Sequence, residues 1–400
     1  MKVRFPIGRS IDLAELARDP YPIYAELRES EPVSFVPQLN MYFVTRYEDV
    51  TTILQDTDHF VVGTERSTVF DTFGEHMMTV EGAPHDFYKR AHQPFFLPAT
   101  IRDKLEDQIR AHVDLLIDGI EAQGAVEFRA AFASRLPILT MLSMFGLAPE
   151  EESRLREWYD SFEKALSNFT WDEGVRAAGR ASAADFIALI QHYLDLLRSS
   201  AEEYDDSTLL GALLNAPAED RLNNEQICRN ALIIFFGGIS TVEALLLNAL
   251  YALSLHPETL ARARRDAVLI PRALNETVRW LGPVQSATRH VVKENELHGV
   301  VFQKGDTVNC MLAAANHDPA MFEDPGAFDM DRKNLQRQIG FAVGPHHCLG
   351  SRLARVEARI ALERLFARLP GLRLDLGRVE GPQGYEFRQP LSAMAVWDVD

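Results

Sequence analysis

Four hundred residues, 46% of them hydrophobic, can bury a large core as one big domain or two ordinary ones. A formal net charge of −17 argues against nucleic acid or an anionic membrane surface as the main partner. Three cysteines, Cys228, Cys310 and Cys348, make no disulfide framework, and neither an apolar leader at Met1–Ser10 nor an apolar run of about 18 residues appears. We expect a cytoplasmic protein that neither spans a membrane nor binds nucleic acid.

No internal repeat or Gly/Ser linker divides the chain, which reads as one domain over residues 1–400. A short helix is expected from Pro20 to Glu29, strands at 33–36 and 41–44 from their β-branched content, and helix again from Glu48. Residues 61–100, with Gly63, Gly74, Gly82, Pro84, Pro94 and Pro98, read as irregular. The pattern over 101–260 is almost wholly helical, broken near 121–126, 147–150, 169–174 and 215–224. Strand signals return at 285–310, an Asp-, Pro- and Gly-rich meander fills 316–345, and 372–400 reads as a hairpin region. The expected class is mainly α with small β-sheets (α+β), β-rich at about 30–60 and helical at about 85–280.

Residues 223–256 read as one long helix, capped by Asn223 with Gln226 and stopped by Pro257. Its length is roughly 50 Å, and it is apolar nearly all round between Ala231 and Leu247, so it should be buried. Within it, Gly237 and Gly238 cost roughly 1–2 kcal/mol of helix stability relative to alanine. Close helix packing, with Ser240 and Thr241 bonded back to the preceding turn, is one explanation. A turn loosened beside a reactive centre is the other.

A shorter helix over 270–283 carries Glu276 and Arg279 on one face, with Pro271 near its start and Gly282-Pro283 at its close. Such pairs are mostly weak surface salt bridges, but the helix is otherwise apolar.

The most informative stretch is Phe341-Ala-Val-Gly344-Pro-His346-His347-Cys348-Leu-Gly350, followed by a helical run. Cys348 should lie at a helix N-terminus, where the macrodipole and free amides favour an anionic sulfur. A buried inert thiol is the plainest reading. A zinc site from His346, His347 and Cys348 is disfavoured, because three consecutive residues cannot easily face one tetrahedral ion. A thiolate ligand to haem iron is the third, with the glycines admitting a flat porphyrin.

The pattern Phe341-x-x-Gly344-x-His346-x-Cys348-x-Gly350 resembles the haem-binding loop of the cytochrome P-450 family. Gly237, Gly238 and Thr241 resemble its oxygen-activation motif, Glu276-x-x-Arg279 its structural ion pair with Arg332 as third member, and Ser286-Ala-Thr-Arg289 its propionate arginine. His346 resembles another propionate ligand; His85 and Lys89 nearly match a His-x-x-x-Arg pattern, with lysine in the arginine's place. The resemblance implies haem b with Cys348 as thiolate and metal ligand.

It also implies a bacterial monooxygenase that takes O2 and a small-molecule substrate, with electrons from a separate ferredoxin, flavodoxin or reductase. Thr241 would organise proton delivery, with Ser240 and Gly238 beside it. Ser240 departs from the family, which usually has a carboxylate there; Glu243 lies about 200° from Thr241 round the helix and cannot simply replace it. A basic stripe of Arg352, Arg355 and Arg359 is expected as a docking face. By family position the pocket would include Phe73, Phe169, Phe236, Val284, Ala287 and Phe387, suiting a compact aromatic or apolar substrate. Short segments such as Glu386-Phe-Arg resemble aromatic O-demethylases of the family. A peroxide-driven peroxygenase and a non-catalytic haem-binding protein are the alternatives.

Overall fold

The computed structural model describes residues 5–200 and 204–399. The expected mainly α architecture with small sheets is what forms. One mixed sheet of five strands runs in the order Val33–Val36, Met41–Val44, Thr307–Cys310, Ala287–Val291, Phe60–Val61. Its parallel pair joins Met41–Val44 to Thr307–Cys310, bringing together segments more than 260 residues apart in the chain. The C-terminal hairpin of Arg373–Val379 and Ala393–Val396 gains a third strand, Ala125–Glu127, inside a stretch expected to be helical apart from a break.

One sequence expectation needs correction. Residues 61–100 are not simply irregular, for they hold the helices Thr68–Phe73 and Gly82–His92 and a 3-10 turn at Gln93–Phe96. Ser67 caps the first by accepting from the Phe70 amide, and the left-handed φ of 60° at Gly82 starts the second. Glycine and proline there mark helix ends rather than a lack of helix.

The long central helix expected over 223–256 does form, as Asn224–Gly238 and Ser240–Leu255 in succession, with a one-residue break at Ile239, whose φ of −100° and ψ of −81° leave the helical region. The capping box forms as expected, with Asn223 and Gln226 each satisfying the other's backbone amide. Among the described residues, Asn224–Leu255 is the one stretch long and apolar enough to cross a membrane, and 72% of its most apolar window is buried as the core of the helical part.

The break has two local causes. Paired glycines support a helix poorly, and Thr241 turns its hydroxyl back on the Gly237 carbonyl at 2.6 Å. Gly238 also takes the close approach of Met141, whose sulfur would lie 2.8 Å from a Cβ added there. Both explanations offered for the glycines thus have physical content: tight packing at Gly238, a distorted turn from Gly237 to Thr241.

The helix Ile270–Trp280 buries its charge pair completely. Arg279 donates from Nη2 and Nε to the two Glu276 carboxylate oxygens at 2.6 and 2.7 Å. Its remaining hydrogens go to the carbonyls of Asn316, Pro325 and Ala327, while Arg332 adds a bond to Glu276 at 3.1 Å. Every charged hydrogen has an acceptor, which is the condition for burying an ion pair. The cluster pins the irregular meander to this helix and so places the cysteine loop that follows it.

Candidate active site

The cysteine loop is shaped by two left-handed residues, Ala342 at φ 56° and Gly344 at φ 81°. Gly344 cannot be replaced cheaply, because a Cβ there would come within 2.6 Å of the Leu54 carbonyl oxygen. The loop closes when the Cys348 amide donates to the Phe341 carbonyl at 3.0 Å and the His347 amide to that of Gly344. The helix Ser351–Arg368 then begins three residues after the cysteine.

Cys348 keeps accessible surface, unlike buried Cys228 and Cys310. Surrounding protein nonetheless pushes its thiol up by desolvation, against the downward pull of the Gly350 amide, Arg355, Lys89 and the Ser351 amide. A sulfur deep in protein, open on one face and approached by amides and cations, is arranged as a ligand. His346 turns away from it: Nε2 contacts Glu81 Oε2 at 2.7 Å, and the ring lies 4.4 Å from that of His85. Among the described residues no three of His, Cys, Asp and Glu gather as a metal-ion set, which removes the zinc reading.

Two buried polar atoms nearby lack partners. Arg289, only 4% exposed, has one donor on its neighbour's Thr288 carbonyl, while its Nη2 and the Nδ1 of His346 bond to nothing described. Burial lowers the Arg289 pKa and Glu81 and Cys310 oppose that shift, but no carboxylate forms an ion pair with this guanidinium among the described residues. A buried, under-satisfied cation beside an unpartnered imidazole nitrogen fits an anionic group such as a haem propionate. Space for a flat group exists as well, since a Cβ added at Gly237 or Gly350 would meet no atom within 4 Å. The residues present therefore fit haem.

A match to the family model for cytochrome P450 spans residues 32–370. This chain belongs to that family.

Among relatives of this P450 are the cytochrome P450 monooxygenase PikC of Streptomyces venezuelae, 33% identical over 90% of this chain and 86% of that protein, and the mycinamicin IV hydroxylase/epoxidase of Micromonospora griseorubida, 31% identical over 94% of both. The crystal structure of CalO2 aligns at a TM-score of 0.88 with 28% identity, covering 98% of this chain and 99% of that one. P450BioI, solved with an acyl carrier protein bearing hexadec-9Z-enoic acid, aligns at 0.87 with 26% identity, covering 96% and 100%. The P450 is thus a haem-thiolate monooxygenase of bacterial type, an oxidoreductase with haem b as its cofactor.

The remaining expected residues fall in different surroundings. His85 is buried, with its Nδ1 3.2 Å from the Asp86 carboxylate. Lys89 donates to the carbonyls of Pro345 and His347, clamping the cysteine loop from below. Phe236 gathers three rings around itself: Phe73 at 5.8 Å, Phe387 at 6.1 Å and, stacked, Tyr159 at 5.5 Å. Phe73 is only 1% exposed and backs that group, whereas Phe387 pairs through an isolated antiparallel bridge with Val284, three residues before the strand that opens at Ala287. Phe169 does not join the rings; it packs with Tyr385 on the N-terminal hydrophobic cluster.

The basic stripe does not form a continuous cationic face. Arg359 is taken by Glu106 and Glu363, and Arg355 lies over the Phe341 ring and donates to Asn275, which leaves Arg352 exposed. Sequence reasoning missed Glu81, Tyr159 and Arg129. Arg129 ion-pairs with Glu243, and Tyr159 donates to Ser240. Nothing local marks such pairs, because each joins residues far apart in the chain.

Proposed function

We propose that this P450 oxidises a C–H bond of a compact, apolar, aromatic substrate held against Phe236 and Phe387, with Val284 and Ala287 alongside. The observation that carries this reading is the ring group centred on Phe236, which gives edge and face contacts beside the helix break. Hydroxylation is the expected outcome, and attack on a methoxy carbon would release formaldehyde.

Thiolate-bound haem supplies dioxygen activation when present. The chain's own residues hold the group and the substrate: Cys348 at the metal, Arg289 and His346 at the propionates, and the loop carbonyls fixed by Lys89. Thr241, already bonded to Gly237, keeps its hydroxyl at the distorted turn, where its oxygen can accept and order a proton donor. We infer that electrons come from a separate ferredoxin, flavodoxin or reductase docking by exposed Arg352, and that the enzyme works in the cytoplasm, where its three thiols stay reduced.

A titration followed by the Soret band tests the substrate class. Methoxyaromatics and alkylphenols should give a high-spin shift that Phe236→Ala weakens roughly tenfold or more. A shift with mycinamicin IV or a steroid, and none with small aromatics, would overturn the assignment.

A further inference from the structure

At position 240 the chain has serine where the family usually carries a carboxylate, and a different arrangement surrounds it. Tyr159, on the helix Glu152–Leu166, donates its phenol hydrogen to Ser240 Oγ, and both side chains are buried, at 6% and 4% exposure. The Tyr159 ring is stacked on Phe236 with an interplanar angle of 12°, which fixes where the phenol oxygen lies. Ser240 is the first residue after the break at Ile239, and its amide lies against the same phenol oxygen. The Ser240 hydroxyl hydrogen has no acceptor among the described residues.

A cleft of about 260 Å³ opens beside this pair, with Tyr159, Ile239, Glu243, Arg129, Asp160 and Arg156 in its wall. The helix break, the phenol and the solvent-open cleft therefore meet at one place. On the other side of the break Gly237 faces open space, and Thr241 holds its carbonyl. Charged groups at the cleft are suited to supplying protons. Burial pushes the carboxyl of Glu243, in the cleft wall, up, although Arg129 pulls it back.

We propose that Tyr159 and Ser240 form a hydroxyl relay that carries protons from this cleft through the central helix to the turn at Gly237 and Thr241, replacing the carboxylate the family uses. In each step a proton from cleft water or a protonated carboxyl joins the Tyr159 oxygen as the phenol's own proton passes to Ser240 Oγ. The Ser240 proton leaves towards Thr241, and rotation of the two hydroxyls restores the start. One proton moves and no electrons do; the electrons for dioxygen reduction come from the redox partner. The relay rests on the monooxygenase activity but on neither the substrate class nor the partner's identity.

The test uses the haem-loaded protein with carbon monoxide and dioxygen as the probes, in water and in deuterium oxide. Tyr159→Phe keeps the stacked ring and removes only the hydroxyl; Ser240→Ala removes its acceptor; Ser240→Asp restores a carboxylate. In the reduced carbon monoxide complex, the infrared C–O band should shift between the two solvents in the wild type and lose that shift in Tyr159→Phe and Ser240→Ala.

When the reduced protein meets dioxygen, its proton-dependent return to the ferric form should slow by roughly tenfold or more in both variants and recover in Ser240→Asp. Equal rates and an unchanged band in both variants would overturn the relay. Loss in Ser240→Ala alone would overturn the part given to Tyr159. A wild type without the long-wavelength carbon monoxide spectrum of sulfur-ligated haem would instead overturn the reading of Cys348, so the two failures are separable.

Discussion

The guanidinium carbon of Arg355 lies 4.1 Å from the ring centre of Phe341, so the helix after the cysteine holds the aromatic residue that opens the loop. Arg355 is also among the cations drawing the Cys348 thiol down. In Arg355→Met, loss of a desolvated cation–π contact should cost about 0.5–2 kcal/mol of stability. Loosening of the loop should also convert part of the reduced carbon monoxide complex to the form seen when the sulfur is protonated. Thermal unfolding and the carbon monoxide spectrum, read on the same samples, check both effects.

Arg289 and His346 should matter for holding haem rather than for folding. Each has a buried polar atom left without a partner, so removing either side chain relieves a cost in the haem-free protein and loses a charge-assisted contact in the loaded one. We expect Arg289→Ala to weaken haem retention by about 1.5–3 kcal/mol. Haem transfer to apomyoglobin measures this, with denaturant unfolding of the haem-free protein as the control that should barely change.

The Glu276–Arg279 pair should behave in the opposite way. Both side chains are fully buried, and Arg279 reaches three meander carbonyls besides its partner. Glu276→Gln leaves a buried cation without its counter-charge, which should cost about 3–5 kcal/mol. Low soluble yield and early unfolding of the haem-free protein are the expected results. Haem affinity measured on whatever folds should be close to that of the wild type.

Glu357 provides a pH dependence with a definite sign. It is fully buried, its Oε1 accepts from the Thr140 hydroxyl at 2.8 Å, and no cation approaches it among the described residues. Burial pushes its carboxyl up to about 8 from the ordinary 4.5, against the pull of Thr140. The folded chain therefore binds this proton more tightly than the unfolded one. Its contribution to stability is complete below about pH 4.5 and is lost as pH rises through about 8. Glu357→Gln should flatten the fall in unfolding midpoint over that window and be the more stable protein at pH 9. Midpoints that fall in parallel for both proteins would count against it.

Much of the site was legible in sequence because it is local. The cysteine loop packs its glycines, histidine and thiolate into ten consecutive residues, and the Asn223–Gln226 cap and the Glu276–Arg279 pair lie within one helical turn, where spacing dictates contact. Glycine and proline were less informative at 61–100, because both occur at helix ends as readily as in loops; only the backbone at Ser67 and Gly82 shows which.

The amino-acid order alone thus determined the family, the mainly helical class and the Glu276–Arg279 pair, and it singled out Cys348 as the candidate sulfur ligand. Tertiary structure decided what surrounds them. Tyr159 meets Ser240 across 81 positions, Arg129 meets Glu243 across 114, and Glu81 meets His346 across 265. It also parted the central helix at Ile239 and sent Phe169 away from the other rings. Those outcomes depend on which helix faces pack together, a property of the whole core rather than of any short window.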